Sequence, residues 1–244
     1  MTEQTAGFYC EFGYHSKLFA IACACHVKAQ GLNSAVRKAK ADEEAWRKLR
    51  AEESAQRSEA IRRGDFKEIW ERQDGIAHPG PEDHEDMTAR GQQERLAAVA
   101  VVFAAMTLEA FINYYALTRL GITAFETLDR RVSSKDKWLL FPELATKKEY
   151  GKGDTPHQEL VKLFKLRDAL VHCKPVASFV EWSLLDGTTL ADKTLTGSET
   201  LFSEAATCDP ISVVRQAVAR LHEIDSSVDI EWSKKQVTSW EHFL

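Results

Sequence analysis

HQELVKLFKLRDALVHCKP, residues 157–175, is the stretch of sequence that decides the fold. Its apolar residues recur at steps of three and four, which predicts a helix with one buried side. These residues are Leu160, Leu163, Phe164, Leu170 and Val171. Because a buried side needs other helices to pack against it, the sequence predicts a helical bundle. The last two turns of this helix carry Arg167, Asp168 and His172.

Local signals mark both ends of this helix. Thr155 is predicted as the N-cap, with Pro156 at the first helical position and Gln158 where a capping box would place its acceptor. At the other end, the ring of Pro175 disfavours helical geometry at Lys174. The helix is therefore bounded by residues that favour a start and a stop.

The most apolar helix is predicted at residues 88–120, which include LAAVAVVFAAMTLEAFINYYALTRL. Its apolar residues cover nearly all faces over three turns, so we expect it at the centre of the bundle. Glu109 and Asn113, four residues apart on one face, interrupt this apolar surface. Because buried polar groups need partners, these two side chains are predicted to face a polar cleft or a partner side chain.

The N-terminal part of the chain reads as a helical arm. Residues 15–63 contain no proline, and Gly31 is the weak point, so one long helix or two stacked helices are predicted. From Arg37 to Arg72, charges of both signs alternate densely, which is typical of a solvated helix. The Pro- and acid-rich residues 78–86 form the best linker. We therefore predict an arm and linker at residues 1–87 and a bundle at residues 88–244.

Shorter elements complete the predicted all-α fold. Helices are expected at residues 123–130, at 134–141 after a Ser133 cap, and at 229–243. Asp209-Pro210 is expected to cap an amphipathic helix that reaches Ile224. Residues 176–208 are predicted to be an insertion, in which residues 179–182 and 188–190 form either a small hairpin or an irregular excursion.

Composition and charge narrow the classes of function. The formal net charge of −5 and the pI near 5.9 argue against a protein that coats nucleic acid nonspecifically. Residues 135–174 are locally basic, with nine Lys and Arg against six Asp and Glu. Within them, the loop KKEYGKGD and the end of the key helix supply cations that could steer a phosphate backbone or simply form a soluble surface. They are Lys147, Lys148, Lys152 and Lys174.

The sequence predicts a cytoplasmic protein without membrane association. Its five cysteines are an odd number without paired spacing, which favours reduced thiols. The N-terminus lacks a basic region followed by an apolar core, so no signal peptide is expected. The longest apolar run, residues 96–106, is shorter than the ~20 residues needed to cross a bilayer.

The first candidate site is Arg167-Asp168-x-x-x-His172. Residues five apart are separated by about 140° around an ideal helix, so Arg167 and His172 would not point the same way. Asp168 and His172 share a face, and the carboxylate is predicted to orient the imidazole and favour its protonated form. The alternative is a surface Asp/His pair on a helix end, with Arg167 bound elsewhere.

The other candidate sites give no metal or cofactor prediction. Cys23-Ala-Cys25-His26 lacks the two-residue gap and the second ligand pair of a zinc site, and Cys25 fits an apolar stripe. His78 and His84 lie in the acidic loop, where a solvated linker is the simpler interpretation. Motifs of P-loop NTPases, zinc proteases and α/β-hydrolases are missing from the sequence.

Three segments together resemble the HEPN superfamily of small helical bundles, whose signature is an arginine, four to six residues, and a histidine. They are TLEAFINYY (residues 107–115), Lys137-Trp138 to Pro142, and LRDALVHCKP (residues 166–175). Arg167 and His172 match the signature with four intervening residues, and Glu109 matches an acidic position on the preceding core helix. The resemblance covers roughly residues 90–175. Asp168 departs from the asparagine that many members have after the arginine.

The resemblance implies a dimeric, metal-independent endoribonuclease that needs no cofactor, of the kind found in prokaryotic defence or toxin systems. Two Arg/His pairs would meet at the dimer interface and line a shared cleft. A ribose 2′-hydroxyl would attack the adjacent phosphate, with His172 as general base or acid and Arg167 stabilising the phosphoryl charge. Asp168 would orient His172, and Glu109 would hold Arg167.

The alternative function is a noncatalytic interaction module. In this interpretation the bundle dimerises or binds a nucleotide-bearing partner, and the N-terminal arm docks another protein chain. The two functions differ in one structural respect. Arg167 and His172 from two protomers would line an open, positive cleft in a nuclease, whereas in a module they would be buried or bound within their own protomer.

Overall fold

The computed structural model describes residues 14–64, 85–172, 181–182, 189–191 and 197–235. The helices are α1 Tyr14–Gly31, α2 Asn33–Arg63, α3 Glu85–Leu120, α4 Ile122–Asp129, α5 Ser134–Thr146, α6 Thr155–Val171, α7 Gly197–Thr207, α8 Pro210–Ile224 and α9 Glu231–Lys234. Two short strands, β1 Glu181–Trp182 and β2 Thr189–Ala191, pair antiparallel. Helices thus dominate the described residues, which confirms the predicted all-α class.

The chain divides into two compact units, Met1–Lys28 with Glu94–Leu244, and Ala29–Gln93. This division differs from the predicted boundary at residue 87, because most of α1 belongs to the larger unit. Phe19 and Ala22 of α1 are fully buried there, and the Phe19 ring lies 5.4 Å from that of Trp232. The apolar first half of the predicted arm therefore contributes to the bundle core.

In the smaller unit, α2 is a solvated, charged helix, as its sequence predicts. Ala60 is its only buried residue, and ion pairs such as Arg62–Glu59 at 2.7 Å run along its surface. The predicted weak point at Gly31 separates α1 from α2, so two helices form rather than one. Gly64, with φ of 71°, ends α2 in the left-handed conformation that glycine adopts without strain.

The central helix α3 is buried on one side and open on the other. Ala100, Val101, Ala104, Leu108 and Ile112 are fully buried, whereas Val99 and Met106 are 38% and 37% exposed. The expectation of burial on nearly all faces is therefore wrong at these positions.

By length and composition alone, Ala89–Leu120 could cross a membrane. The core helix of a soluble protein meets the same criteria, and more than half of the most apolar window of this segment is buried in the fold. The uninterrupted apolar run within this segment covers only residues 96–106. Burial of the opposite side of the helix supports a role in the bundle core.

Helix α5 extends past the proline at which the sequence predicts its end. Ser133 caps its start as expected, because its side chain accepts a hydrogen bond from the Asp136 N–H. Pro142 lies inside the helix, which continues to Thr146. Proline disfavours a helix interior, but Trp138 and Phe141 are fully buried here, and tertiary packing outweighs that preference.

Helix α6 has the buried side that its periodicity predicts, but it begins one residue earlier than predicted and ends at Val171, before the stop signal at Lys174-Pro175. Its N-cap is Asp154, one residue before the predicted Thr155. Leu160, Leu163 and Phe164 are buried, whereas Val171 is 53% exposed. The last turn of α6 therefore opens to solvent.

A row of aromatic rings joins α3, α5 and α6. Phe111 lies 6.3 Å from Trp138, Trp138 lies 5.7 Å from Tyr150, and Tyr150 lies 6.3 Å from His157. The Tyr150 hydroxyl donates a hydrogen bond to the Ala217 carbonyl of α8 at 3.0 Å. This row anchors the helices that carry the candidate site.

The C-terminal elements agree with prediction in part. The antiparallel pairing of β1 and β2 agrees with the hairpin, one of the two predicted alternatives for this segment. Helix α7, however, lies in the predicted insertion and packs against α6. Helix α8 begins after Asp209 and ends at Ile224, as predicted. The last predicted helix is described only at Glu231–Lys234, and residues 236–244 lie outside the described residues.

Asp209→Ala is expected to lower the free energy of unfolding by about 1 kcal/mol, because the Asp209 carboxylate accepts the Ser212 N–H at 3.1 Å and caps α8. Urea denaturation at neutral pH measures this loss. Asp209→Ser, which keeps a capping oxygen, is the control and should lose less. Equal losses in both variants would contradict a capping role.

His15 is buried against three aromatic rings, those of Phe111, Tyr114 and Trp232, at 5.1, 5.6 and 4.8 Å. Burial lowers the pKa of His15 from 6.5 to about 4, and the negative charge of Asp229 only partly opposes this effect. The folded state therefore favours a neutral imidazole.

The depressed pKa of His15 predicts a pH-dependent loss of stability. Between about pH 6.5 and pH 4 the unfolded chain binds a proton at His15 that the folded chain does not, so the free energy of unfolding falls as the pH falls. His15→Phe should flatten this slope in urea denaturation series at pH 7.5, 6.5, 5.5 and 4.5. The exposed His172, changed to Ala, is the control, and identical slopes in the parent and His15→Phe would contradict the prediction.

Candidate functional site

Arg167 is held at the side of α6 by groups of its own chain. Its Nη2 donates a hydrogen bond to Oε2 of Glu109 on α3 at 3.3 Å. Its Nε lies 3.2 Å from Oδ1 of Asp168 without a hydrogen bond of normal geometry. The guanidinium carbon also lies 5.6 Å from the ring centre of Phe164. These contacts fix the side chain, which is 21% exposed.

Ser134 positions the carboxylate that holds Arg167. Its hydroxyl donates to Oε1 of Glu109 at 2.6 Å, while Oε2 of the same carboxylate binds Arg167. A chain of contacts thus runs from α5 through α3 to α6. Sequence reasoning missed Ser134, although the adjacent pair Ser133-Ser134 offered a signal: only one serine can cap the helix, and the other is free for a different partner.

One turn along α3, Asn113 meets a buried cation. Its Oδ1 accepts a hydrogen bond from Nζ of Lys137 at 2.9 Å, and Lys137 also pairs with the Asp129 carboxylate. The Lys137 side chain is only 4% exposed, so it needs such partners. The prediction that Glu109 and Asn113 face polar partners is therefore confirmed.

His172 ends α6 and faces solvent. Its backbone, with φ of −106° and ψ of 26°, has left the helical conformation, and its N–H donates to the Asp168 carbonyl at 2.9 Å. The imidazole ring makes no hydrogen bond or ion pair with any residue that the structure describes. An exposed imidazole at a helix C-terminus can exchange protons with a bound molecule.

The predicted pairing of the Asp168 carboxylate with His172 is wrong. The carboxylate lies beside Nε of Arg167 instead, and among the described residues no hydrogen bond or ion pair joins it to the His172 ring. Arg167 carries a permanent charge and is held nearby by Glu109, so it is the stronger electrostatic partner. Asp168 and Glu109 together more than balance the charge of Arg167, and the His172 ring makes no hydrogen bond or ion pair with a described residue.

Residues of the predicted basic loop bind neighbouring parts of their own chain. Nζ of Lys148 donates to the Ile224 carbonyl at the end of α8 at 3.2 Å. Lys147 ends α5 with φ of 62°, and the Lys152 carbonyl lies 3.2 Å from Nδ1 of His157. The hydrogen bonds of Lys147 and Lys148 to other described residues do not involve Arg167 or its partners. Lys174 lies outside the described residues.

Metal ligands are not grouped in the described part of the chain, where no cluster of three or more His, Cys, Asp or Glu occurs. Cys23 and Cys25 are buried, and burial raises the pKa of each thiol to about 11, so both stay protonated. Nε2 of His26 lies 3.6 Å from Asp209 rather than beside a cysteine ligand set. The predicted loop histidines, His78 and His84, lie outside the described residues.

The site is a positioned guanidinium followed by a solvent-facing imidazole at the open end of α6. A planar guanidinium suits phosphoryl oxygens, and an imidazole suits proton transfer near neutral pH. The groups brought together are Ser134, Glu109, Arg167 and Asp168, with His172 at the helix end. No protein-family model matches the chain, and no curated protein or solved structure shows significant similarity to it.

Proposed function

We propose that this protein is a dimeric, metal-independent endoribonuclease of the HEPN type, acting in the cytoplasm in a prokaryotic defence or toxin system. The observation that carries the proposal is the pairing of Arg167 with Glu109, with an exposed His172 five residues beyond. The R-x4-H spacing, the acidic residue on the core helix and the all-helical fold support the same function.

In the proposed reaction a ribose 2′-hydroxyl attacks the neighbouring phosphorus and the bond to the 5′-oxygen breaks. His172 takes the hydroxyl proton or gives a proton to the leaving oxygen. Arg167 donates to the phosphoryl oxygens, where negative charge builds. Among the described residues, Nη1 of Arg167 has no hydrogen-bond acceptor, and we assign this nitrogen to the phosphate. The products are a 2′,3′-cyclic phosphate and a 5′-hydroxyl.

Three positioning roles follow from the contacts. Glu109 and Asp168 fix the guanidinium from two sides, and Ser134 fixes Glu109. Asp168 thus acts on Arg167 rather than on His172, which revises the role implied by the resemblance. Of the basic residues proposed to steer RNA, Lys147 and Lys152 keep exposed side chains in the loop before α6.

An RNA-cleavage assay tests the proposal directly. The full chain is incubated with end-labelled single-stranded RNA in buffer that contains EDTA, and product ends are analysed. Cleavage with cyclic phosphate and 5′-hydroxyl ends is the expected result. Intact RNA, from a preparation shown by light scattering to be dimeric, would overturn the proposal, and so would cleavage that EDTA abolishes.

The noncatalytic module remains the second candidate, and one observation favours it: two carboxylates of the same chain already balance Arg167. In this function the bundle binds a nucleotide-bearing partner without cutting it, and α2 docks a protein. Leu49 and Ile61 on α2 are 59% and 54% exposed and would contact that protein.

Saturable RNA binding without cleavage would favour the module. A protein captured by the parent chain, but lost in a Leu49→Asp and Ile61→Asp double variant that still folds, would support docking by α2. Capture that is unchanged in the double variant would contradict it.

A further inference from the structure

The open side of α3 is one continuous stripe. Its members are exposed or half-buried, whereas the positions between them are buried. The members of the stripe are Arg95, Leu96, Val99, Val102, Phe103, Met106, Glu109 and Ala110. At 100° per residue these positions fall within an arc of about 140°. The stripe therefore faces one direction over four turns of the helix.

The stripe is apolar at its centre and charged at its ends. Val99, Val102, Phe103 and Met106 lie between Arg95, which is exposed, and Glu109. Val99 and Met106 keep more than a third of their surface open to solvent. A contiguous apolar strip with a polar border is typical of a protein–protein contact.

We infer that α3 of a second copy of this chain covers the stripe, antiparallel, with a two-fold axis between Val102 and Phe103. Around that axis Val99 of one copy lies against Met106 of the other, and Val102 against Phe103. Arg95 of each copy then lies within one helical turn of Glu109 of the other. The contact is self-complementary, as a two-fold interface requires.

The charges select this orientation over a parallel one. A parallel pairing of the two stripes would place Arg95 against Arg95. It would also place Glu109, with Arg167 and Asp168 beside it, against the same three groups of the other copy. Because two carboxylates and one guanidinium carry a formal charge of −1, like charges would face each other at both ends. The antiparallel pairing places opposite charges together at both ends. An unrelated partner would need the same apolar centre with the charges reversed, a pattern that a second copy supplies by symmetry.

The direction of α6 connects this interface with the candidate site. Ser134 meets Glu109 and Lys137 meets Asn113, so α5 runs in the same direction as α3. Helix α6 follows α5 through the loop at residues 147–154 and packs against it, so it runs in the opposite direction. Arg167 lies beside Glu109, and the residues of α6 that follow Arg167 run alongside α3 in the direction from Glu109 toward Met106.

At a rise of about 1.5 Å per residue, His172 lies about 7.5 Å beyond Arg167, close to the level of the two-fold axis. The interface thus brings the His172 ends of both copies toward the axis and places Arg95 of the second copy beside the Glu109–Arg167 pair. The interface itself rests on the stripe, whereas its role in RNA cleavage rests on the proposed function.

Disulfide cross-linking tests which residues of the two α3 helices lie opposite each other. Each variant is the full chain with one residue replaced by cysteine. Val99→Cys protein and Met106→Cys protein are oxidised separately and as a mixture, with the parent chain as the control for native cysteines. The mixture should form a covalent dimer that contains one copy of each variant, and each variant alone should not. Val27→Cys, at a valine on α1 that is at least as exposed as Val99 and Met106, is the matched control and should form no cross-link with either variant.

Cross-links within each variant alone would show a parallel pairing and overturn the inference. A dimer by light scattering that gives no cross-link in the mixture would place the interface on another surface, and a monomer at every concentration would exclude it. Cross-linked dimers that do not cut RNA would leave the interface intact and refute only the proposed function.

A charge reversal tests the ends of the stripe independently. Arg95→Glu should weaken the dimer by roughly tenfold at low salt, because two symmetry-related attractive contacts become repulsive. Arg130→Glu, at an exposed arginine outside the stripe, is the matched control and should leave the dissociation constant unchanged. An equal effect of both variants, or none in Arg95→Glu, would contradict the proposed pairing of Arg95 with Glu109.

Discussion

His172→Ala is expected to lower the rate of RNA cleavage by about 10²- to 10⁴-fold, the usual contribution of a positioned general acid or base. The free energy of unfolding should stay within about 0.5 kcal/mol of the parent value, because His172 is exposed and its ring makes no hydrogen bond or ion pair with a described residue. Single-turnover cleavage of a short RNA in EDTA, together with urea denaturation, measures both quantities.

Lys165→Ala is the matched control for His172→Ala. Lys165 is an exposed basic residue on the same helix, so its removal changes the net charge of α6 without touching the proposed site. Cleavage by Lys165→Ala should remain within a few-fold of the parent. If His172→Ala and Lys165→Ala cut RNA at similar rates, His172 is not the proton-transfer group.

Trp138→Ala is expected to lower the free energy of unfolding by about 3–5 kcal/mol, the largest loss of stability that we predict for a single substitution. Trp138 is fully buried between Phe111 and Tyr150, and its removal would leave a cavity where α3 and α5 meet. Urea denaturation followed by circular dichroism measures the loss. A soluble but unfolded variant would be consistent with the same prediction.

Trp138→Phe is the control that separates packing from hydrogen bonding. No acceptor within the described residues reaches the indole Nε1 of Trp138. Phenylalanine keeps an aromatic ring in the row and removes this unsatisfied N–H, so its loss should be less than half that of alanine. Equal losses in the two variants would show that ring packing at this position does not stabilise the fold.

The elements with local signals are those that the sequence predicts well. Ser133, Asp209 and Gly64 mark helix ends through backbone conformation and hydrogen bonds that reach only a few residues. The apolar periodicity of residues 157–175 likewise identifies the buried side of α6. Glu109 and Asn113 stand out because two polar residues on an apolar helix must find partners.

Local sequence signals misplace a helix end where distant residues outweigh the local preference. Pro142 argues for a helix end, yet the burial of Trp138 and Phe141 holds α5 together beyond it. Helix α7 lies where the sequence has weak apolar periodicity. Its packing against α6 provides the stabilisation that the local sequence alone does not predict. Such energies depend on residues far away in the chain and leave no local pattern.

The sequence by itself determined that the chain is helical, where most helices begin and end, and which polar residues require partners. Only the tertiary structure decided that Asp168 binds Arg167 instead of His172, that Ser134 supports Glu109, and that one side of α3 stays open. The physical reason is the distance along the chain over which each interaction acts. Caps and periodicity act within a few residues, whereas ion pairs and burial depend on which helices the fold brings together.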